Sequence, residues 1–408
     1  MGPNPLLGVF FHWLGGLASG SFYVPYRRVK SWAWESYWLV GGFFSWIIMP
    51  WILALAMTSN LGRVLHEAPG RSVFWTYLFG VLWGLGGLTF GLTMRYLGMS
   101  LGMAIALGYT AAFGTLIPPI FRGQFATEVL GTRSGLTILV GVAICLLGIV
   151  LAGTAGVSKE KEMSEAQKRA AIKEFNLKKG LLVATFSGVM SACFAYGLAA
   201  GDPIKALTLR HGTPTLWQGL PVLVVLLFGG FTTNFIWCAI LNIRNRTFYQ
   251  YFSTKIRGEL PARNYEHILE NVTDAPAEET AASAGNIERP RSRAPILSNY
   301  CFSALAGTTW YLQFFFYTMG ETQMGRFKFS SWTLHMASII IFSTLWGIAL
   351  KEWNGTGLRT KLLVACSLLV LVSSTMIVGY GNYLAKSSTA MAEAEHNIEK
   401  RAPAFTGR

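Results

Sequence analysis

Charge is scarce in this sequence. Asp, Glu, Lys and Arg make up 13% of its 408 residues, about half the usual share of a soluble chain. Acidic residues are the scarcest, 20 against 34 basic ones, and there are six histidines. Five cysteines occur, Cys145, Cys193, Cys238, Cys301 and Cys366, each inside an apolar stretch. With no paired pattern in any loop, they imply neither a disulfide framework nor a metal site and read as small packing residues. No Walker loop is present, so ATP is excluded as a direct energy source. Nothing implies a cofactor.

Apolar length is what the sequence has. Runs of about twenty residues, each long enough as a helix to cross a hydrocarbon core, cover 6–26, 37–57, 72–91, 97–120, 136–155, 180–200, 216–241, 297–320, 332–350 and 362–383. The runs are continuous, whereas barrel strands would alternate in polarity. The expectation is an all-α integral membrane protein with ten transmembrane helices.

The net charge of +14 is a topology signal and not a nucleic-acid footprint. Most of the Lys and Arg, including Arg27, Arg28, Lys30, Lys178 and Lys179, follow odd-numbered runs. The positive-inside rule then puts both termini outside the cytoplasm, in a multi-pass protein of the cell inner membrane surrounded by its lipids. The first run does not read as a cleavable signal, because its charges follow the apolar stretch instead of preceding it. Sequons at Asn245, Asn271 and Asn354 fall on the expected cytoplasmic side and read as chance.

The runs divide into a first five-helix unit, 1–155, a charged cytoplasmic linker, 156–179, expected as a solvated helix, and a second unit, 180–383. A unit with an odd number of crossings must insert upside down when repeated, the condition for an inverted five-plus-five repeat. Gly16-Leu-Ala-Ser19-Gly-Ser-Phe22 lines up faintly with Gly188-Val-Met-Ser191-Ala-Cys-Phe194. The second unit carries a long cytoplasmic loop, 242–296. Its first half, Thr247–Glu270, reads as an interfacial helix and its remainder as disordered, as does an external tail, 384–408.

An ionisable group at bilayer depth is costly and is a functional candidate by default. Only His12 and His335 lie mid-span; Glu35, Asp202, Glu321 and Glu352 sit at span ends, and proton coupling would fall to one of the two histidines or to an end-of-span carboxylate lining the cavity, such as Glu35. A histidine, with an ordinary pKa near 6.5, suits proton coupling; the bland alternative is a neutral ring bonded to a backbone carbonyl. His12, Gly16, Ser19 and Tyr23 share a helical face that suits either a cavity lining or close packing. Trp310, Gln313 and Tyr317 share another and combine a stacking plate with amide and hydroxyl groups, the chemistry that sugar recognition needs. Trp83 and Trp46 are weaker mid-span candidates. Trp32, Trp34, Trp51, Trp217 and Trp353 lie near span ends, where an interfacial belt accounts for them. The pairs Gly80/Gly84, Gly87/Gly91 and Gly98/Gly102 have the spacing of close helix contacts. Arg95, in the turn after the third run, either caps a helix end or gates the cavity through a carboxylate such as Glu35.

Several strings resemble the L-rhamnose–proton symporter family of the drug/metabolite transporter superfamily. Among them are Phe22-Tyr23-Val-Pro25, Val29-Lys30-Ser-Trp32-Ala-Trp34-Glu35, Gly91-Leu-Thr-Met-Arg95-Tyr96-Leu-Gly98, Trp310-Tyr311-Leu-Gln313, Ser331-Trp-Thr-Leu-His335-Met336 and Leu350-Lys351-Glu352-Trp353. The resemblance implies ten helices, an inverted repeat, and uptake of L-rhamnose or a related deoxyhexose with a proton. The sequence departs from the family at Gly87, where Asn is usual, in the composition of Glu321–Ser330 and in the length of 242–296. These departures bear on which sugar is carried. The other readings are transport of a different sugar or small metabolite with another co-ion, and a membrane-embedded glycan or lipid transferase. The transferase lacks the acidic or His cluster it would need near the membrane face. Reporter fusions placed after Lys168 and at the C-terminus are expected to report opposite sides of the membrane, and matching cytoplasmic signals would refute the topology.

Overall fold

The computed structural model describes residues 3–97, 99–162, 176–256 and 293–401, without the side chains of 95, 99–100 and 388–401. Among these residues the chain is helical, and the only β pairing is an isolated bridge between Lys255 and Arg293. The principal helices are α1 (Pro5–Ser21), α2 (Trp34–Phe43), α3 (Met49–Met57), α4 (Leu61–Glu67), α5 (Gly70–Leu97), α6 (Met99–Phe121) and α7 (Arg133–Glu162). They continue as α8 (Leu177–Ala200), α9 (Asp202–Arg210), α10 (Leu220–Asn245), α11 (Ile296–Thr322), α12 (Ser330–Ala349) and α13 (Leu358–Arg401).

Local chemistry sets the helix starts. The Asn4 side chain accepts from the Leu7 amide and Pro5 occupies the first turn of α1, where the missing N–H costs nothing. Asn176 caps α8 in the same way, accepting from the Lys179 amide. Between α2 and α3 the helix widens into a π turn over Phe44–Ile48. Pro50 has no N–H to offer the Trp46 carbonyl, and the wider turn accommodates that loss.

Eight described segments are long and apolar enough to cross a membrane: Trp34–Met57, Gly70–Met94, Leu101–Phe121, Arg133–Glu162, Leu177–Arg210, Thr215–Asn245, Ser330–Ala349 and Leu358–Ser387. Helix α1, with 17 residues, is shorter than these. Helix α11 is long but carries Asn299, Ser303, Gln313 and Glu321. Both lie inside the bundle. Helix α1 packs between α11 and α12, and α8 packs between α5 and α6; α7 pairs with α13, and α10 with α5 and α2. Large apolar side chains such as Leu55, Val140, Leu182, Ile243 and Leu369 are exposed, as a lipid-facing belt requires.

Two polar ends close the bundle. At one, the Asn4 amide donates to Gln323 Oε1, the Ser59 amide to Thr213 Oγ1, and Arg122 Nη2 to Asp202 Oδ2. At the other, Asn299 brackets Lys30 through both its amide and its carbonyl, and Ala33 N donates to Gln250 Oε1. Helix α1 therefore runs from the first end, at Asn4, to the second, where Trp346 Nε1 donates to Ser21 Oγ.

Several expectations need correction. Helix α13 continues to Arg401, so the stretch from 384 is not a disordered tail up to that point; 388–400 is dominated by Ala, Glu, Met and Lys, strong helix formers. The expected interfacial helix over Thr247–Glu270 is a single 3-10 turn, Phe248–Tyr251, and 257–270 lies outside the described residues. In the linker the helix persists to Glu162 as part of α7, and 163–175 is likewise outside. Trp32 is no belt residue: it is buried, edge-on to Tyr251 and Tyr300. Cys301 and Cys366 are exposed and not packed, unlike the other three cysteines.

Glycines set the closest helix approaches. A Cβ at Gly80 would collide with the Leu226 carbonyl oxygen of α10, and one at Gly229 with the Tyr77 carbonyl of α5, while one at Gly84 would press on Thr233 at 2.9 Å. Gly62 on α4 has no neighbour within 4 Å of such a Cβ. Gly80→Val is expected to lower stability in detergent by about 1–3 kcal/mol, the usual cost of overpacking. Gly62→Ala should leave the unfolding midpoint unchanged or slightly raised.

Candidate functional site

Helix α11 supplies the spine of the site. Its residues Trp310, Gln313, Tyr317 and Glu321 fall on one face at steps of three and four. Around its middle, side chains from α1, α2, α5, α8 and α12 converge.

Tyr317 stands between the two histidines. Its ring is 5.2 Å from that of His12 and 5.2 Å from that of His335, each edge-on, and the imidazoles are 6.4 Å apart. Glycines make this approach possible. A Cβ at Gly320 would lie 2.8 Å from His12 Nε2, and one at Gly15 would lie 3.3 Å from His335 Nδ1. Both rings are buried, His12 completely. Neither His12 nitrogen has a hydrogen-bond partner among the described residues, nor has His335 Nδ1. The bland reading, a ring satisfied by a backbone carbonyl, therefore fails for His12.

An aromatic wall continues from this centre toward the far end of α11. Trp310 stacks on Phe22 at 4.6 Å and 15° and lies 5.0 Å from Trp38 and 5.1 Å from Trp46. Trp46 meets Trp83 edge-on at 6.2 Å. Trp83 in turn contacts Phe194 and Phe314, and Phe194 reaches Tyr317 and Trp332. Buried donors without a protein acceptor lie in the same region, Gln313 Nε2 and Trp46 Nε1. A buried donor left unpaired costs roughly 1–3 kcal/mol, so several in one region mark it as a candidate for polar recognition. Rings flanked by unpaired donors and imidazoles suit a small polyhydroxylated molecule with one apolar face.

Of the sequence candidates, His12, His335, Tyr317, Gln313, Trp310 and Trp83 are brought together. Ser19 is buried on α1, on the side where Gly16 packs against Ser338 of α12, so that face serves packing as well as the site. Tyr23 lies beyond the end of α1, its ring 3.9 Å from Phe22, at the edge of the wall. Glu35 is not brought to the histidines. It is buried at the other polar end, where Oε1 accepts from Asn245 Nδ2 at 2.9 Å and Thr247 Oγ1 at 2.8 Å. Arg95 lies in the last turn of α5 and not in an interhelical turn; its side chain is outside the described residues, and with it the suggested contact to Glu35.

Sequence reasoning missed Phe22, Trp38, Phe194, Phe314 and Trp332 as wall residues, although Phe22 and Phe194 close the two strings that align internally. It also did not single out Lys205. Lys205 is in fact buried, with Nζ 2.9 Å from Glu321 Oε2 and 3.2 Å from Asp202 Oδ1.

The family described as "L-rhamnose-proton symport protein (RhaT)" matches residues 1–256 and 286–384. An L-rhamnose-proton symporter of Mannheimia succiniciproducens is 34% identical over 382 residues, 93% of this chain and 99% of that protein. One from Klebsiella pneumoniae subsp. pneumoniae is 33% identical over 378 residues, 92% of this chain and 97% of its own length. A third, from Shigella dysenteriae serotype 1, is 34% identical over 376 residues, with 92% and 97% coverage. The chain is a multi-pass membrane protein and belongs to the L-rhamnose-proton symport protein (RhaT) family.

Proposed function

We propose that this protein imports L-rhamnose, or a closely related deoxyhexose, together with a proton across the cell inner membrane. The observation that carries the reading is the convergence on α11 of Trp310, Gln313 and Tyr317 with the two His12 nitrogens and His335 Nδ1, which have no hydrogen-bond partner among the described residues. The names of the relatives, all L-rhamnose-proton symporters, supply the substrate class.

The proposed architecture is ten crossings in an inverted five-plus-five repeat with both termini external. Helices α1 and α11, the two outside the strictly apolar set, complete the ten. The packing supports this. Helix α1, the first crossing, sits between the eighth and ninth (α11 and α12), while α8, the sixth, sits between the third and fourth (α5 and α6). Exchanging the first five crossings for the last five maps each set of contacts onto the other. The pairings α7 with α13 and α2 with α10 map onto themselves.

In this reading the sugar stacks on the Trp310 end of the wall, with Trp83 and Trp46 alongside. Its hydroxyls are read by Gln313 and Tyr317, with Ser19 and Tyr23 at the margins. His12 or His335 takes the proton from outside, and the proton leaves to the cytoplasm once the cavity opens inward. Protonation converts an imidazole into a double donor and favours sugar binding. One proton moving through about 150 mV supplies roughly 3.5 kcal/mol, enough for two to three decades of accumulation at about 1.4 kcal/mol each.

Membrane vesicles given labelled L-rhamnose are expected to accumulate it with an inward pH gradient and only to equilibrate without one; equal uptake in both conditions would refute proton coupling. Trp310→Ala and Gln313→Ala should each weaken sugar binding about tenfold, 1.4 kcal/mol, while the purified protein stays folded in detergent. If both keep the parent affinity, the binding site lies elsewhere. His335→Gln retains hydrogen bonding but cannot titrate, so it should keep sugar exchange and lose gradient-driven accumulation; His12→Gln tests the other imidazole in the same assay. Accumulation that survives in the double variant would remove both histidines from the coupling step.

A further inference from the structure

We propose that Lys205 is a gating residue: its ion pairs close the seam between α8–α9 and α11 at the end of the bundle that carries the N-terminus, one turn beyond the Tyr317–histidine centre. The proposal rests on the reading of that centre as the transport site.

The seam differs in kind from the other helix contacts. Helix α8 packs against α5 and α6, and α11 packs against α1 and α2. Between α8 and α11 the contacts are made by side chains. Phe194 lies 4.8 Å from Phe314 and 6.3 Å from Tyr317. Beyond them Lys205, on α9, reaches across to Glu321 on α11. Helix α9 itself rests on α4, α5, α8 and α10, so the long Lys205 side chain makes its polar bridge to α11. A joint held by side chains can open by rotamer changes and small helix shifts, whereas glycine-to-backbone contacts cannot part without moving whole helices.

The ion network has the composition of a latch. Lys205 is 5% exposed and pairs with both Glu321 and Asp202, and Asp202 also binds Arg122 of α6 at 2.9 Å. Two carboxylates face Lys205 and Arg122, with the charge of Lys328 also acting on Asp202, so the buried Lys205 ammonium is compensated in the closed form of the network. Its outer members, Arg122 at 45% and Asp202 at 37%, are within reach of water. Entry of water into the seam would hydrate the separated charges and stabilise an open form. The location completes the case. Glu321 follows Tyr317 by one turn of α11, and Gly320 between them packs on the His12 ring. Movement at the latch is thereby transmitted directly to the site.

The test reads accessibility and uses neither sugar nor a proton gradient, so its failure is distinct from failure of the transport reading. In a background with the five native cysteines replaced by alanine, Leu198→Cys places a thiol on α8 between Phe194 and Asp202, at steps of four, where Leu198 is buried. A charged, membrane-impermeant thiol reagent is applied to intact cells and, separately, to inverted vesicles. With Lys205 present the thiol should react slowly from both sides. Lys205→Met is expected to raise the rate at least tenfold from the face that carries the N-terminus and not from the other, and Lys205→Arg should restore slow reaction. If Lys205→Met does not reach the membrane, Glu321→Gln, of nearly the same size, should give the same one-sided increase. Unchanged labelling in Glu321→Gln and Lys205→Met, or an equal increase from both faces, would overturn the proposal.

Discussion

Close backbone approach at glycine is the constraint on which this bundle depends. Lipid tails solvate an apolar helix face about as well as another helix does, so association within a membrane needs van der Waals contact at short range. Here Gly80 and Gly229 supply it reciprocally between α5 and α10, Gly307 lies against the Gly41 carbonyl, and Gly16 lies against Ser338. Helix α1 is fixed by the last of these contacts, together with Gly8 against Met324. Once α1 is fixed there, His12 and His335 have no room to turn away: Gly320 and Gly15 hold the two rings against backbone, on either side of Tyr317.

These glycine seams divide the molecule by the kind of contact it makes. Helices α5, α8 and α10 form one closely packed set, and α1, α11 and α12 another. Where α8 faces α11, aromatic rings and one ion pair take the place of backbone contact. Helices α6 and α12 meet more firmly, through Trp332 Nε1 donating to the Thr110 carbonyl and a 2.7 Å bond between the Thr115 and Thr333 hydroxyls. A substrate-sized space is more easily made along the first joint than the second. The π turn over Phe44–Ile48 places Trp46 at the inner edge of the same region, its six-membered ring resting on Gly42. The irregular helix therefore serves the site by aiming a side chain.

The sequence made part of this legible. Length and hydropathy were enough for an all-helical membrane protein, because a run of twenty apolar residues has few other uses. The scarcity of buried ionisable groups singled out His12 and His335, and helical spacing placed Trp310, Gln313 and Tyr317 on one face. Other features were not legible, for physical reasons. A tryptophan near a span end has the same composition signal whether it sits in the interface, as Trp51 at 40% exposure can, or inside, as Trp32 does. Lys205 carried no signal because its partner, Glu321, is more than a hundred residues away in sequence. Phe22 and Phe194 carried no signal of their own among 27 phenylalanines; only their matching places in the two aligned strings set them apart. The helical course of 384–401 was missed because a polar, Ala-rich composition was read as disorder when its propensity favours helix.

The carboxylates explain why the histidines carry the proton step in this reading. Near the site, Glu321 and Asp202 are committed to Lys205 and Arg122, and at the opposite end Glu35 is held by Asn245 and Thr247. Both His12 nitrogens and His335 Nδ1 have no such commitment among the described residues. The two sets of groups then do different work, the ion pairs holding the joint closed and the imidazoles responding to the proton. Under the proposed mechanism, opening the joint separates charges that neutralise one another when it is closed, and water reaching its exposed members offsets part of that separation.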